Sequence, residues 1–384
     1  MKKSHVLFLP VGDKNWIGGV YYARNIIFTL MQNRFLSNQL DVDIICCKSS
    51  NDIFSDLPIK ANYRIRSFKS NKRCKLYAFW RVLIKPGAIA YSCMFKVKKP
   101  FINAHARWIP DFQHNYYPHY FSQDELNKRT EQYIDIANSI EPIILSSNSA
   151  KKDFERFYSK NRRNVYVVPF VSYIEPEIKR MTHEYVQGIM TKYGLKSRNY
   201  VFIANQFWQH KNHRVVFEML ALANKQEKLS DLKFVFTGEL NDHRNPEYVY
   251  ELKKIIEQHN LNSRIDILGL IDRLEQLVLM RESLVLIQPS LFEGWGTVVE
   301  DGKTLDKTII LSDIPVHREQ MNVKCHLFNP KDPSDLLKKL EVLVGNVPFD
   351  DIEKGIKDMY GRAELYSKNF EELLVKNMRN EENK

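Results

Sequence analysis

The sequence contains few cysteines, and their arrangement excludes both a disulfide framework and a cysteine-based zinc site. They form no C-x-x-C pair and are scattered at Cys46, Cys47, Cys74, Cys93 and Cys325. A reducing, cytosolic environment is therefore expected. No apolar run approaches the roughly 20 residues that a membrane-spanning helix requires. The apolar stretch Val6–Val11 follows two lysines but is too short for a signal peptide.

Acidic residues are missing from one long internal stretch. The net charge is +11, yet no Asp or Glu lies between Asp56 and Asp111. Thirteen Lys and Arg residues occur there, interleaved with aromatic side chains such as Phe68 and Trp80. This basic-aromatic tract, residues 60–107, suits an anionic membrane surface, and a solvated basic face is the alternative. Nucleic acid is not expected as a partner because no nucleic-acid-binding motif accompanies the tract.

Several catalytic and metal-binding fingerprints are also absent. The chain has no P-loop, no H-E-x-x-H, no EF-hand loop and no G-x-G-x-x-G, which argues against a dehydrogenase. The D-x-D pattern of Asp41 and Asp43 opens an early strand, so we interpret these residues as solvated carboxylates rather than a metal site.

The alternation of strand-like and helix-like segments predicts an α/β protein. In the first half the β-rich runs are His5–Val11, Val42–Lys48, Tyr63–Phe68, Ile143–Ser147 and Val165–Val168. In the second half they are Tyr200–Ala204, Lys233–Thr237, Arg264–Leu268, Leu284–Gln288, Thr308–Leu311 and Cys325–Phe328. Such alternation implies parallel sheets covered on both faces. At 384 residues the chain suits two Rossmann-like domains facing a cleft, with the polar stretch Tyr173–Ser197 as linker.

The segment Ser290–Gln320 carries the strongest functional signal. Glu293 follows an apolar strand, Gly294 and Gly296 form a turn, and a helix-compatible segment then carries Glu300 and Asp301. Backbone N–H groups and the positive end of a helix dipole bind phosphate. Ionised carboxylates accept hydrogen bonds from sugar hydroxyls. A diphosphate beside polyols is what a nucleotide-sugar presents.

This segment resembles the signature of retaining glycosyltransferases of the GT-B fold, in particular glycosyltransferase family 4. E-G-W-G runs from Glu293 to Gly296, and S-D-I-P-V-H-R-E runs from Ser312 to Glu319. The family's distal Glu is replaced by Asp301, so either Asp301 or the neighbouring Glu300 is expected to hold the ribose. The resemblance implies an acceptor domain over residues 1–175, a donor domain over 176–364, and a terminal helix, 365–384, that packs back on the first domain.

The resemblance assigns roles to residues of the second half. Lys211 matches the Lys of a basic pair that meets the donor diphosphate, while Gln206 stands where the family has Arg. Either Lys211 compensates by itself, or Arg214 or Arg24 is expected to help. The turns containing Gly238 and Gly269 with Leu270 are expected to hold the nucleotide. Backbone groups around Gly294, Trp295, Gly296 and Thr297 are expected to bind the diphosphate.

Residues of the first half complete the expected site. Gly18 and Gly19 resemble a glycine pair beside the donor phosphates. Asp111 and His114 are candidates for contacts with sugar or acceptor hydroxyls, although Pro110 replaces the His that many relatives carry before this Asp.

The sequence thus predicts a glycosyltransferase that moves a sugar from a nucleotide-diphospho-sugar to a hydroxyl acceptor, with retention. Neither a cofactor nor a metal is expected if Lys211 and a helix N-terminus meet the diphosphate. A lipid-linked saccharide, as in surface polysaccharide assembly, is the expected acceptor, and the cytoplasm or inner membrane face is the expected location. Two alternatives stay open, namely another GT-B enzyme such as an epimerase or a phosphorylase, and a non-catalytic nucleotide- or nucleic-acid-binding scaffold.

Overall fold

The chain divides into two compact units. The computed structural model describes residues 4–9, 17–33, 39–84, 88–92, 102–158, 164–242 and 244–382. The first unit comprises residues 1–112, 127–173 and 359–384, and the second comprises 113–126 and 174–358. The first unit has three chain segments and the second has two, so neither is one continuous stretch of sequence.

The first unit is built on a parallel sheet of seven strands in the order β3-β2-β1-β4-β5-β6-β7. The strands are β1 Ser4–Phe8, β2 Leu40–Cys47, β3 Tyr63–Phe68, β4 Ala88–Ser92, β5 Ile102–Trp108, β6 Ile143–Leu145 and β7 Val165–Val167. The helices of the first half are α1 Ile17–Met31, α2 Asn51–Ser55, α3 Asn71–Ile84, α4 Gln113–Tyr116, α5 Gln123–Asn138 and α6 Asn148–Phe157. Strand β2 is almost wholly buried, because strands covered by helices on both faces are apolar throughout.

The second unit contains a parallel sheet of six strands in the order β10-β9-β8-β11-β12-β13. The strands are β8 Tyr200–Ala204, β9 Lys233–Thr237, β10 Ile265–Ile267, β11 Val285–Gln288, β12 Ile309–Ser312 and β13 Cys325–Phe328. The chain moves outward from β8 to β10 and then returns to the other side of β8 with β11. The loops after β8 and β11 therefore lie at the switch point, where open α/β sheets bind their ligands.

The second half of the chain also contains nine described helices. They are α7 Glu175–Arg180, α8 His183–Lys192, α9 His213–Lys225, α10 Tyr248–Gln258, α11 Arg273–Glu282, α12 Thr297–Thr304, α13 Pro315–Gln320, α14 Pro333–Leu343 and α15 Ile352–Glu382. One core cluster includes Val216, Phe236 and Leu340, and another includes Phe202, Met280 and Leu311. Helix α15 has residues in both units.

The predicted α/β class with two parallel sheets is confirmed. One detail of the prediction is wrong. The stretch Tyr173–Ser197 is not an irregular linker, because α7 and α8 occupy most of it. The basic-aromatic tract contains β3, which was predicted, and β4 and β5, which were not. Among the described residues, no helix is both long enough and apolar enough to cross a bilayer.

Candidate active site at the carboxyl edge of the second sheet

Lys211 and Glu293 meet at the switch point of the second sheet. Lys211 ends a short 3-10 helix after β8, and Glu293 lies in the loop after β11. The Lys211 Nζ atom donates a hydrogen bond of 2.6 Å to Glu293 Oε1. Both side chains are largely buried, at 16% and 11% exposure. The structure thus brings the predicted cation and the predicted carboxylate into direct contact.

A buried hydrogen-bond network fixes the Glu293 carboxylate. Ser290 Oγ donates to Glu293 Oε1 at 2.7 Å, and Gln288 Nε2 lies 3.1 Å from the same oxygen. Gln288 is itself held by a reciprocal amide pair with Asn205, at 3.0 and 3.1 Å. Asn205 directly follows β8, so the network joins the two central strands of the sheet. The carboxylate orientation is therefore set by the strands rather than by a mobile loop.

Glu293 is ionised at neutral pH. Burial by itself would raise its pKa, but the positive charge of Lys211 and the hydrogen bonds from Lys211 and Ser290 lower the pKa to about 2. A group with so low a pKa is a weak general base, because efficient proton transfer needs a pKa near the working pH. The chemistry that suits Glu293 is acceptance of hydrogen bonds from hydroxyl groups.

Asn212 anchors the loop that carries Lys211. Its backbone adopts the left-handed conformation with φ of 55°, which Asn tolerates better than most residues. Its side-chain amide donates to Pro289 O at 3.1 Å and to Pro330 O at 2.9 Å. In addition, the Leu291 N–H donates to His210 O at 2.8 Å. The loops after β8 and β11 are thereby tied together beside the Lys211–Glu293 pair.

The turn at Gly296 is held by Gln320. Gln320 Oε1 accepts from the Gly296 N–H at 3.0 Å, and Gln320 Nε2 donates to Gly296 O at 3.0 Å. The same Nε2 donates to Glu300 Oε1, which also accepts from Lys303 Nζ at 2.9 Å. Gly296 is the residue that caps the N-terminus of α12, and Glu300 lies in its first turn. The Glu300 carboxylate, the Gly296 turn and the N-terminus of α12 therefore form one packed cluster.

The two candidates for the distal carboxylate have different surroundings. Asp301 is fully buried, and its Oδ1 accepts from Arg273 Nη2 at 2.6 Å. Glu300 is equally buried, but its partners Gln320 and Lys303 connect it to the Gly296 turn. No contact decides between the two, and both assignments stay predictions.

Gly238, Gly269 and Gln206 lie together at the same sheet edge. The Gly238 N–H donates to Gly269 O at 2.9 Å, which joins the turns after β9 and β10. A Cβ on Gly238 would lie 2.1 Å from Asn205 O and 2.7 Å from Gln206 N, so only glycine fits there. Leu270, next to Gly269, is 73% exposed. Trp295 and Thr297 flank Gly296 and are half-buried.

The remaining predicted residues are distributed over both units. Gly18 and Gly19 lie in the first turn of α1, in the first unit. The Asp111 carbonyl accepts from Tyr133 Oη at 2.9 Å in that unit, whereas the buried His114 belongs to the second unit.

The two arginines expected to assist Lys211 have other partners. Arg24 is buried and stacks its guanidinium over Tyr173 at 5.4 Å. Arg214 pairs with Glu251 at 2.6 Å, so neither is seen to take the place of the missing Arg at Gln206.

Asp43 of the D-x-D pattern lies in the interior of the first unit. Asp43 is buried and bonds to His5 Nε2, Arg64 Nε and Arg81 Nε at 2.6 to 2.9 Å. These three partners lower the Asp43 pKa further than burial raises it. The interpretation as solvated carboxylates is thus wrong for Asp43, which has a structural role. Within the described ranges, no group of three or more His, Cys, Asp and Glu residues is arranged to hold a metal ion.

Burial of His317 makes the free energy of unfolding depend on pH. Its Nδ1 lies 2.9 Å from Ser312 O, and burial lowers its pKa to about 4. The unfolded chain binds this proton near pH 6.5, so stability is unaffected above that pH and falls as the pH drops from 6.5 to about 4. We expect the loss of unfolding free energy between pH 7 and pH 5 to be about 2 kcal/mol smaller in His317→Gln than in the parent. Urea unfolding at both pH values measures this, and equal pH dependence in the two proteins would contradict it.

Some residues of the site were not predicted. Gln288, Ser290, Asn205 and Gln320 were not identified as supports of Glu293 and Gly296. Gln288, the polar residue that ends the buried strand β11, was a signal that could have identified them, because the end of this strand lies at the switch point. A second omission is Tyr116, in the same segment as His114, whose ring lies 5.5 Å from that of Phe292, next to Glu293.

Comparison with known proteins agrees with this geometry. Residues 188–349, less than half of the chain, match the family described as glycosyl transferases group 1. They contain Lys211, Glu293 and all six strands of the second sheet. No curated protein matches the sequence significantly.

Solved structures resemble nearly the whole chain. HepE of Anabaena, in complex with UDP and glucose, aligns over 99% of both chains with a TM-score of 0.61 and 13% identity. Sucrose-phosphate synthase of Thermosynechococcus elongatus aligns over 98% of this chain and 100% of its own, with a TM-score of 0.64 and 13% identity. WaaG, a glycosyltransferase involved in lipopolysaccharide biosynthesis, aligns over 95% of both chains with a TM-score of 0.58 and 11% identity. At such low identity these likenesses show the fold, and the predicted GT-B class is confirmed. Together with the family match, they also support the prediction that the protein is an enzyme of the glycosyltransferase class.

Proposed function

We propose that the protein is a retaining glycosyltransferase that transfers a sugar from a UDP-sugar to a hydroxyl acceptor. The observation that carries the proposal is the 2.6 Å contact between Lys211 and Glu293 at the switch point of the second sheet. A cation suits the diphosphate of a nucleotide-sugar, and an ionised carboxylate at the same sheet edge suits the hydroxyls of its sugar. The choice of uracil rests on HepE, which is a fold relative solved with UDP.

Each part of the pair has a distinct role in this proposal. Lys211 stabilises the diphosphate, which gains negative charge as the glycosidic bond breaks. The start of α12 adds backbone N–H groups and the positive end of the helix dipole. Glu293 accepts hydrogen bonds from the hydroxyls of the transferred sugar and thereby fixes its orientation. Glu300 or Asp301 holds the ribose, with the turns at Gly238 and Gly269 beside the nucleotide.

The acceptor and the stereochemistry are further parts of the proposal. Front-face displacement, in which the leaving phosphate accepts the proton of the acceptor, retains the configuration at the anomeric carbon. A lipid-linked saccharide is proposed as acceptor, with the enzyme in the cytoplasm at the inner membrane face. The basic-aromatic tract and the fold likeness to WaaG support this choice.

A thermal-shift screen of nucleotides tests the donor. A ligand present at a hundred times its dissociation constant stabilises the native state by about 2.7 kcal/mol. We expect UDP and UDP-sugars to raise the melting temperature and ADP or GDP to do so less. Equal shifts with all nucleotides, disappearing at high salt, would instead indicate a non-catalytic scaffold that binds phosphate.

Product analysis separates the remaining alternatives. With donor alone a transferase gives at most slow hydrolysis, whereas an epimerase converts the donor without an acceptor. With donor and a lipid-linked acceptor, NMR of the new glycosidic bond gives its configuration. Inversion at the anomeric carbon would overturn the retaining mechanism while leaving the transferase assignment intact.

A further inference from the structure

Helix α3 has an ordinary buried face. Cys74, Ala78 and Val82 recur at every fourth residue and lie on one side of the helix. They pack against a cluster that includes Leu7 and Ile45 of the first sheet. This face, with Tyr77 packed against the same cluster, attaches the helix to the first unit.

The opposite face of α3 is also apolar, which is unusual for a helix on the surface of a globular unit. Leu76 is 68% exposed and Trp80 is 52% exposed, and both lie on the side away from Cys74, Ala78 and Val82. The further exposed apolar residues of this helix are Phe79, Leu83 and Ile84. Single exposed apolar residues are common, but a contiguous group of this size marks an interaction surface. We call these five residues the outer face of α3.

Basic residues border the outer face. Lys72 and Arg73 lie in the first turn of α3 and are exposed, as are Lys69 just before the helix and Arg66 in β3. The sequence supplies no acidic residue from 57 to 110 to neutralise them.

Other basic residues of the tract are engaged inside the unit. Arg64 and Arg81 bond to Asp43, and Arg107 bonds to Asp135 at 2.7 Å. Among the described residues of the tract, several exposed Lys and Arg side chains therefore lie at or just before the start of α3.

We propose that the outer face of α3 docks on an anionic membrane surface. Apolar and aromatic side chains beside Lys and Arg are what an interfacial helix presents to acyl chains and acidic headgroups. Trp suits the boundary between these two layers. Nucleic acid would use the basic residues but would leave Leu76, Leu83 and Ile84 in water. A second copy of the chain would bring the same cluster of positive charge against itself.

The inference rests on the proposed function in one respect, because a lipid-linked acceptor is the reason why the enzyme would bind a membrane. The binding itself is tested without donor or acceptor. Glu293→Gln should bind vesicles as the parent does, so a failure of the proposed chemistry and a failure of the docking surface give different results.

Cosedimentation of the full chain with vesicles tests the surface. We expect binding to vesicles of phosphatidylcholine mixed with phosphatidylglycerol and little binding to phosphatidylcholine alone. The double variant Lys72→Gln/Arg73→Gln should weaken binding about 30-fold, roughly fivefold for each positive charge removed. The matched control is Lys253→Gln/Lys254→Gln, which removes two exposed charges from α10 in the second unit and should change little.

The apolar part of the surface needs its own variant. Trp80→Gln/Leu83→Gln should weaken binding to the anionic vesicles by roughly tenfold or more. Both positions are exposed, so an unchanged melting temperature is expected and shows that the variant is folded. Val342→Gln, which alters an exposed apolar residue in α14, is the control.

Three results would overturn the inference. One is equal binding to neutral and anionic vesicles, and another is unaltered binding of both α3 variants. The third is a parent that dimerises in size-exclusion chromatography and becomes monomeric in Trp80→Gln/Leu83→Gln without any vesicle binding, because the occupant would then be a second copy.

Discussion

Lys211→Met is expected to lower kcat/KM for UDP release by about 100- to 1,000-fold, which is the range seen when one preorganised group that stabilises a developing anion is removed. Met keeps most of the aliphatic stem of Lys211 and removes the charge that contacts Glu293. The loss should fall mainly on kcat, because the negative charge on the diphosphate grows in the transition state.

Glu293→Gln is expected to lower the rate by a similar factor for a different reason. The amide keeps the shape of the carboxylate but accepts hydroxyl hydrogen bonds less strongly, since charge-assisted bonds are about twice as strong as neutral ones. The two side chains share one contact, so their effects should not add. We expect the double variant to lose little more than the worse single variant.

The control for both variants is another ion pair of the second unit. Lys233 Nζ lies 2.9 Å from Asp266 Oδ2, and Lys233 is the first residue of β9, at the amino edge of the sheet. Lys233→Met should change the rate less than about twofold, since exposed ion pairs contribute little. Melting temperatures of all variants separate unfolding from lost chemistry. A Lys211→Met protein that is folded and fully active would disprove the assigned role.

Strand positions were predictable from the sequence where burial on both faces leaves a continuous apolar run. Tyr200–Ala204 and Lys233–Thr237 were predicted with the bounds that the structure has. Strands β4 and β5 were not, because their sequences mix small and polar residues such as Ala90 and the buried His105. Periodicity does not distinguish a buried histidine from a surface one, and the basic charge of the surrounding tract suggested a surface.

The error at Tyr173–Ser197 has a local explanation. Pro176 and the polar composition indicated a linker, yet Pro176 lies in the first turn of α7, where a missing N–H costs nothing. Thr182 caps α8 by accepting from the Tyr185 N–H. Both signals were present in the sequence, but they are recognisable only when the helix start is considered before the overall composition.

The site was predictable as far as its motif extends. Lys211 and Glu293 are 82 residues apart in sequence and were paired through a family pattern, not through geometry. The support from Asn205 and Gln288 depends on β8 and β11 being neighbours in the sheet. That adjacency follows from the order of strands, which local periodicity does not determine.

Gly238→Ala should destabilise the protein by about 3 kcal/mol or more, because two independent costs coincide. The backbone at Gly238 has φ of 143°, which residues with a side chain rarely adopt. The new Cβ would also lie 2.1 Å from Asn205 O, a backbone atom that cannot move away by a change of rotamer.

Substitutions at two other glycines separate the backbone cost from the steric cost. Gly269 has φ of 68° but no atom within 4 Å of the added Cβ, so Gly269→Ala should cost only about 1–2 kcal/mol. Gly188 lies in α8 with open space around it, so Gly188→Ala should be neutral or stabilising by up to about 1 kcal/mol. Urea unfolding of the three variants measures the order of their stabilities. A Gly238→Ala protein no less stable than Gly269→Ala would show that the Asn205 backbone yields at little cost.

The same substitution should reduce activity in whatever fraction remains folded. To accommodate the methyl group, the backbone at Asn205 and Gln206 must shift away from the turn after β9. Asn205 is paired with Gln288, whose Nε2 lies 3.1 Å from Glu293 Oε1, so the shift is transmitted to the Glu293 carboxylate. UDP release measured well below the melting temperature should therefore fall in Gly238→Ala by more than in Gly269→Ala. An intact rate per folded molecule would show instead that Glu293 keeps its orientation without the Asn205–Gln288 pair.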